Sequence, residues 1–210
     1  MQVAAEQPAR RKGDQTARRV REAALKLFAR HGYAAVSIRQ IATDVGVQPG
    51  ALYNHFPTKQ DILKDLMLTH MADLLAAWER DVADRSPDED PLDAFVRFHI
   101  RYHLERADEV FVAYMELRNL EPENFAEVEA ARQKYEKILS DILEDGVRVG
   151  RYAVADPKVA TRAIIAMLTG IPTWYRPGRG LSRQDIETLY LTMVRKCMAP
   201  DTPSKPMGAG

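Results

Sequence analysis

Apolar side chains recur at helical spacing along most of this 210-residue chain. The first periodic segment begins near Asp14 and ends at Gly32. Its apolar positions, three or four residues apart, form one helical stripe: Val20, Ala23, Ala24, Leu27, Phe28 and His31. The alternation of period two that is typical of strands does not occur, and glycine and proline fall between the periodic segments. The pattern therefore predicts an all-α protein of about nine helices.

Two short helices follow the first one. Ser37 and Gln40 form a capping-box pattern that opens the second helix, and Gly46 ends it. The next stretch, G-V-Q-P-G-A-L-Y-N-H-F, spaces Leu52 and Phe56 for a third helix that is too short to stabilise itself. Two short helices joined by a tight glycine turn have the proportions of a helix-turn-helix, whose second helix lies in the DNA major groove. An ordinary helical hairpin is the alternative.

The remaining segments predict six longer helices. A helix of about six turns from Thr58 through Trp78 is expected to bridge two domains. The others are expected from Asp90 to about Ala107, through Val110 to Leu117, from about Asn124 to Val149, from Asp156 to Ile171, and from Ser182 to Met198. Pro122 is expected to break the chain, and residues 174–180 to form a loop.

The charge of the chain is divided unevenly. Lys and Arg balance Asp and Glu at 30 each, but residues 1–64 hold eleven basic and five acidic side chains, a net charge of +6. The N-terminal end therefore suits a polyanion such as DNA. The single cysteine, Cys197, excludes an internal disulfide and favours a reducing compartment. No apolar run approaches the ~20 residues of a membrane span, so we expect a cytoplasmic protein without a membrane partner.

Enzyme motifs are missing from the sequence. It contains no G-x-S-x-G elbow, no phosphate-binding loop and no H-E-x-x-H, and Cys197 has no nearby histidine, so catalysis is not expected. His99 and His103 have a spacing that can chelate a metal, but no third ligand is evident. We therefore expect core or surface histidines and no metal site.

The stretch from Ala24 to Leu63, A-L-K-L-F-A-R-H-G-Y-A-A-V-S-I-R-Q-I-A-T-D-V-G-V-Q-P-G-A-L-Y-N-H-F-P-T-K-Q-D-I-L, resembles the N-terminal signature of the TetR family of transcriptional regulators along its whole length. The resemblance implies a homodimer that binds operator DNA. The domains expected on this basis are a flexible basic arm over residues 1–13, a helix-turn-helix domain over 14–57, a ligand-binding and dimerisation domain over 58–198, and a disordered tail over 199–210.

The resemblance also assigns roles in DNA binding. It implies phosphate contacts by Ser37, Tyr53 and Lys59, with His55 at the margin between phosphates and bases. The positions that face base edges are Gln48, Pro49, Gly50, Ala51 and Asn54, where Gln48 and Asn54 can each pair bidentately with adenine. Salt-dependent affinity is expected from basic residues, namely Arg39 and the arm residues Arg10, Arg11, Lys12, Arg18 and Arg19.

A second local resemblance concerns the effector. W-Y-R-P-G-R-G-L-S, residues 174–182, resembles the segment between the last two helices in the KstR2-like branch, repressors of steroid and lipid breakdown that respond to CoA thioesters. The preceding segment I-I-A-M-L-T-G-I-P-T lacks the arginine and tryptophan expected of steroid-responsive members. A smaller or more flexible acyl-CoA is therefore the expected effector, and no cofactor is expected. The alternatives are a multidrug or aromatic-compound sensor that represses an efflux gene, and a helix-turn-helix protein without a ligand.

The body is expected to hold an apolar pocket with few polar anchors. Its predicted lining is Met67, Met71, Trp78, Phe98, His99, Tyr102, Tyr114, Arg118 and Met167. Arg118 or His99 is expected to meet an anionic group, although most of these side chains are equally typical of an ordinary core. The last two helices form the dimer bundle in the family, which implies an interface containing Trp174, Tyr175 and Leu189. Ligand binding is expected to change the angle of the fourth helix and so the spacing of the two recognition helices.

Overall fold

A computed structural model describes residues 8–199 of the chain, with side chains from residue 15 onward. This part contains ten α-helices against the about nine predicted, and it contains no strand, as the periodicity predicts. The helices are α1 (Pro8–His31), α2 (Ile38–Val45), α3 (Pro49–Tyr53), α4 (Lys59–Asp84), α5 (Pro91–Glu105), α6 (Ala107–Met115), α7 (Pro122–Arg148), α8 (Pro157–Thr169), α9 (Ile171–Trp174) and α10 (Arg183–Met198), with a 3-10 turn at Leu117–Asn119. No helix of the described residues is long and apolar enough to cross a membrane.

The helix starts that the sequence marks with caps are confirmed. Ser37 and Gln40 form the reciprocal capping box of α2, and Gly46 closes that helix in the left-handed conformation, with φ of 74°. Asp90 accepts from the first-turn amides of α5, and Ser182 and Asp185 form the capping box of α10. These caps could be predicted because each depends on residues only two or three positions apart.

Three predicted boundaries differ from the structure. Helix α1 begins at Pro8 rather than near Asp14, since residues 9–12 are helix formers without an apolar period. Pro122 opens α7 instead of breaking the chain before it, because proline is tolerated in the first turn. Helix α8 ends at Thr169, and α9 follows as one turn that contains Trp174. Residues 1–7 and 200–210, and the side chains of Arg10, Arg11 and Lys12, lie outside the described residues.

The described chain packs as two compact units. The first comprises residues 8–77 and 106–132, and the second comprises residues 78–105 and 133–199. The first unit therefore includes α6 and the start of α7 as well as the predicted DNA-binding segment. Its core contains Phe28, Ile41, Leu52, Ile62 and Met67, which are all fully buried.

The core of the second unit is rich in aromatic side chains. The ring of Trp78 meets Phe95 and Phe98 edge-on, with centroids 5.4 and 5.2 Å apart, and Phe95 also packs against Tyr135. Tyr152 lies so close to Gly146 of α7 that a Cβ atom at that glycine would stand 2.0 Å from the tyrosine ring. Only glycine therefore fits at position 146.

Candidate DNA-binding surface and effector-binding core

Helix α3 has only five residues and is held to the first unit by its apolar side. Leu52 and, just beyond the helix, Phe56 are buried, and the Arg21 guanidinium lies 5.5 Å from the centre of the Phe56 ring. Arg21 in turn forms a bidentate ion pair with Asp65 of α4, which raises the arginine pKa. The helix is therefore stabilised by tertiary contacts and not by its own length.

The side chains predicted to read bases are available at this helix. Gln48, Gly50 and Asn54 are exposed, while Pro49 and Ala51 are half-buried. Proline at the first helical position leaves no unsatisfied amide, and the Cβ space at Gly50 is open. Exposed polar groups around a helix start are suited to hydrogen bonding with base edges.

The residues predicted to contact phosphates differ in their exposure and in the hydrogen bonds that they already make within the chain. Tyr53 is 49% exposed, and Arg39 is exposed at α2. The Ser37 hydroxyl is engaged in its capping box. Lys59 donates through Nζ to the carbonyl oxygens of Tyr33 and Val36, each at 2.9 Å. Burial lowers the Lys59 pKa, and two of its three donors are used inside the protein, so a phosphate contact by this residue stays a prediction.

Two arginines expected to supply affinity for DNA have partners within the chain. The guanidinium of Arg19 donates to the carbonyl oxygen of Val45 at the end of α2, and that of Arg18 pairs with Glu22 at 2.8 Å. A cation at a helix C-terminus satisfies an orphan carbonyl and the helix dipole. Arg19 thus has a structural role in the first unit that its position in a basic cluster did not indicate.

A polar network that the sequence did not reveal ties the Tyr33 loop to the start of α4 and to the 3-10 turn. The amide of Gln60 donates to the Tyr33 hydroxyl at 3.0 Å and to the carbonyl oxygen of Asn119 at 2.7 Å. Glu116 is buried, and its carboxylate accepts from the backbone N–H of Tyr33 at 3.2 Å. A movement of the end of α6 can therefore reach α4 and the helix-turn-helix through direct hydrogen bonds.

The predicted pocket residues are divided between the two units. Met67, Met71, Tyr114 and Arg118 belong to the first unit, and the other five belong to the second. Met67 and Met71 are buried, whereas Arg118 is exposed in the 3-10 turn. The exposure of Arg118 weakens its assignment as a buried anion anchor.

The first unit contains a buried histidine beside a mostly buried arginine that the sequence did not single out. His70 lies on the buried side of α4, and its ring meets Tyr114 edge-on with centroids 6.4 Å apart. The guanidinium of Arg132 lies over the Tyr114 ring at 4.6 Å. Burial and the positive charges of Arg106 and Arg132 lower the pKa of His70 to about 4. His70 follows Met67 by three residues on the buried side of α4. A histidine within this apolar stripe was the sequence feature that could have indicated a buried polar site.

In the second unit, His99 is a fully buried core histidine. Its Nδ1 lies 3.2 Å from the Tyr135 hydroxyl and its Nε2 lies 3.2 Å from the Thr169 hydroxyl. The His103 ring stacks on it at 3.7 Å, and Nδ1 of His103 donates to the His99 carbonyl oxygen. In the described part of the chain, no three His, Cys, Asp or Glu side chains are placed to hold a metal ion.

The rest of the predicted pocket in this unit is mostly enclosed. Trp78, Phe98 and Tyr102 are buried, and Met167 is half-buried on α8. The pairwise ring contacts of Phe98 with Trp78 and Tyr102 are those of a packed aromatic core. Their assignment to a pocket remains a prediction.

The last three helices present apolar side chains to the outside of the protomer. Trp174 is 53% exposed and Leu189 is 47% exposed, and further exposed side chains are Val159, Leu181 and Met193. Tyr175 differs, because it is buried within the protomer and offers little surface to a partner chain. A cluster of exposed apolar residues on neighbouring helices is typical of a protein interface.

Comparison with known proteins identifies two family matches. Residues 20–66 match the family described as bacterial regulatory proteins, tetR family, and residues 85–198 match the tetracyclin repressor-like C-terminal domain. The HTH-type transcriptional repressor KstR2 of Mycobacterium tuberculosis is 28% identical over 178 residues, covering 82% of this chain and 88% of the relative. The fatty acid metabolism regulator protein of Bacillus subtilis is 25% identical over 155 residues, covering 73% and 80%.

Solved structures share the same architecture. A bacterial regulatory protein in the tetR family from Rhodococcus RHA1 has a TM-score of 0.80 and 28% identity, covering 89% of this chain and 98% of its own. AibR, solved in complex with isovaleryl coenzyme A and operator DNA, has a TM-score of 0.76 and 23% identity, covering 88% and 99%. The resemblance to the KstR2-like branch is supported by the curated relatives, which are transcriptional regulators and not enzymes.

Proposed function

The chain belongs to the TetR family of bacterial transcriptional regulators, and from this premise we propose that it represses transcription as a homodimer on a near-palindromic operator. An acyl-CoA or a related lipid metabolite releases it from DNA. The observation that carries the DNA-binding part is α3, whose apolar residues are buried while Gln48, Gly50, Tyr53 and Asn54 are exposed around it.

The charge distribution supports binding to the DNA backbone. The net charge of +6 over residues 1–64 is opposite to that of the rest of the chain. Arg39 is exposed, so its side chain can contact a DNA phosphate without leaving a buried position. We assign the phosphate contacts to Ser37, Arg39, Tyr53, His55 and Lys59, which act with the base-reading residues.

The homodimer is proposed from the exposed apolar side chains of the second unit. Leu189 and Met193 are one turn apart on α10, and Trp174 and Leu181 lie in the segment that precedes this helix. Burial of such a surface against a second copy produces a two-fold interface. Two recognition helices related by that axis read half-sites about one DNA turn apart, roughly 34 to 36 Å.

Selection from randomised DNA tests the DNA-binding proposal. Sequences retained by the full chain are expected to contain two inverted half-sites with centres about ten base pairs apart. Selection of an asymmetric site without a dyad would contradict the homodimer. Retention of all sequences equally would instead favour sequence-independent DNA binding.

The acyl-CoA effector is proposed from the relatives. The relatives include the fatty acid metabolism regulator protein of Bacillus subtilis, and AibR was solved with isovaleryl coenzyme A. The methionines and aromatic side chains in both cores are suited to an apolar chain. A DNA-release assay with acyl-CoAs, free fatty acids and aromatic drugs tests this assignment. Release by aromatic or cationic drugs alone would favour a multidrug sensor, and no release by any compound would favour a ligand-independent DNA-binding protein.

A further inference from the structure

Arg132 of α7 is a mostly buried cation in the first unit. Its side chain is only 17% exposed, and the nearest carboxylate oxygen, from Glu129, lies 3.4 Å from Nε. Nη1 is buried and has no hydrogen-bond partner among the residues that the structure describes. A buried charged N–H without a partner is unfavourable, and native proteins supply such groups with an acceptor. The guanidinium can therefore donate a hydrogen bond to an additional oxygen atom.

Other buried or clustered arginines are better paired. Arg85, just after α4, is 12% exposed and has a buried Nε without a partner, but its Nη2 donates to Asp81 at 3.0 Å. In the second unit, the groove of about 390 Å³ between α5 and α10 contains Arg97, Arg101 and Arg183. Each of these donates to a glutamate, namely Glu89, Glu187 and Glu105 respectively. Arg132 is thus distinguished by its weak pairing, and not by its depth or its charge alone.

The surroundings of Arg132 favour an anion. Tyr114 lies under the guanidinium, and His70 lies at the edge of the same ring. The low pKa of His70 has burial as its main cause, followed by the positive charges of Arg106 and Arg132, so this part of the core has a positive potential. A negative ligand would be stabilised there, because low-dielectric surroundings strengthen charge interactions.

The neighbouring core supplies an apolar environment. Met67 on α4 and Val128 on α7, one turn before Arg132, are buried in the same unit, and Tyr114 packs against that cluster. Buried methionine and valine side chains in the same core as a partly satisfied guanidinium suit an aliphatic chain that ends in a charged oxygen group.

We propose that Arg132, stacked on Tyr114 beside His70, binds the carboxylate of an aliphatic amphiphile. This inference rests on the proposed ligand-responsive function and specifies where the charged end of the effector is held. Both carboxylate oxygens can accept from one guanidinium in a bidentate arrangement. The carboxylate can belong to a free fatty acid or to the far end of a dicarboxylic acyl-CoA.

Binding of octanoate and of octanol to the full chain tests the proposal. Isothermal titration of the wild type is expected to give an affinity for octanoate at least about tenfold above that for octanol, which lacks the charge. Arg132→Gln is expected to lose this preference, and Arg132→Lys to keep part of it. The control Lys134→Gln removes an exposed charge from the same helix two residues away and is expected to behave as the wild type.

A second measurement needs no variant. Octanoate labelled with ¹³C at its carboxyl group and bound to the wild type is expected to stay ionised at a pH at which free octanoate is half protonated, because the guanidinium favours the charged form. Equal affinity for octanoate and octanol, an unchanged preference in Arg132→Gln, or an unshifted carboxyl pKa would each overturn the proposal.

Two further probes separate this inference from the acyl-CoA proposal. Suberoyl-CoA carries a free carboxylate at the far end of its acyl chain, whereas octanoyl-CoA does not. Release of DNA by suberoyl-CoA from the wild type and Arg132→Gln alike would leave the acyl-CoA effector in place and overturn the role of Arg132, whereas release by octanoyl-CoA is expected not to depend on Arg132. An Arg132-dependent preference for octanoate without release by any thioester would support the carboxylate site and contradict the acyl-CoA effector.

Discussion

His70 makes the stability of the first unit depend on pH. Its pKa is about 4 in the folded protein against 6.5 for an unperturbed histidine, because burial and then the charges of Arg106 and Arg132 disfavour protonation. Between these values the unfolded chain takes up a proton that the folded chain does not. The stabilisation is therefore present above pH 6.5 and is lost as the pH falls towards 4, by roughly 3 kcal/mol.

Urea unfolding between pH 7 and pH 4 checks this prediction. His70→Leu is expected to flatten the fall in the free energy of unfolding over that range, whereas replacement of the exposed His31 by Gln is expected to leave it unchanged. An NMR titration that finds the His70 ring protonated at pH 6 in the folded protein would show the assignment to be wrong.

Asn54 and Tyr53 are predicted to act differently on DNA. Asn54→Ala removes a proposed base contact and should relax the sequence preference at one operator position, with a cost of about 1 to 3 kcal/mol on the preferred site. Tyr53→Phe removes only a hydroxyl proposed to contact phosphate, so binding to all sequences should weaken similarly. Gel shifts on operator variants check both results. Uniform weakening by Asn54→Ala would contradict its assignment to base reading.

The residue types of α3 predicted which of its side chains are buried, but they did not predict the hydrogen-bond partners of Lys59 and Arg19. Leu52 and Phe56 were expected to hold the helix, and they are buried. Lys59 and Arg19 were expected to contact DNA. In the structure, both donate hydrogen bonds to backbone carbonyl oxygens of the first unit. These acceptors are 23 to 26 positions away in the sequence, so no local pattern could reveal them.

At the scale of elements, the glycine that ends α2 and the glycine inside α3 have opposite requirements. Gly46 has φ of 74°, and alanine there should cost about 1 to 2 kcal/mol of stability. Gly50 has ordinary backbone geometry and open space at its Cβ position, so Gly50→Ala should leave the protein equally stable or up to about 1 kcal/mol more stable.

Urea unfolding and gel shifts of these two variants give a matched comparison. Gly50→Ala is expected to weaken operator binding although it does not destabilise the protein, because the added methyl group stands between the helix and the bases. Equal losses of stability in the two variants would show that the left-handed backbone conformation is not the reason why position 46 requires glycine.

Helix positions were predictable where the signal was local. Caps at Ser37, Asp90 and Ser182 marked starts correctly. The start of α1 at Pro8 was not found, because its first residues carry no apolar period and only their helix propensity favours a helix. Proline was misinterpreted at Pro122, since the same residue breaks a helix interior and suits a first turn.

At the scale of the whole molecule, the exposed apolar surface of α10 predicts a dimer that one charge can disrupt. Leu189→Glu should shift the protein to a monomer and abolish binding to a two-half-site operator, because a charge would be buried without a partner. Sedimentation velocity and gel shifts measure the two effects.

Gln184→Glu on the same helix is the matched control. It adds the same charge at an exposed position that is well separated from Leu189 around the helix, so the oligomeric state should not change. A Leu189→Glu protein that remains a dimer would contradict the proposed interface.

The sequence predicted the helical fold better than it predicted the division of the chain into two compact units. The functional boundary expected after residue 57 stays a prediction, and residues 58–77 and 106–132 pack with the helix-turn-helix in the first unit. The reason lies in contacts that the chain order conceals, such as the hydrogen bond from Tyr33 to Glu116 across 83 positions. These long-range contacts also explain why the buried pair Arg132 and His70 was missed.

The shortness of α3 has a consequence for evolution. Only Leu52 of its five residues is buried, so the reading positions are nearly independent of the folding energy. Exposed substitutions typically change stability by less than about 0.5 kcal/mol. A duplicated copy of this gene can therefore change at positions 48 and 54, which we propose to read bases, and drift towards a new promoter while the rest of the regulator continues to fold.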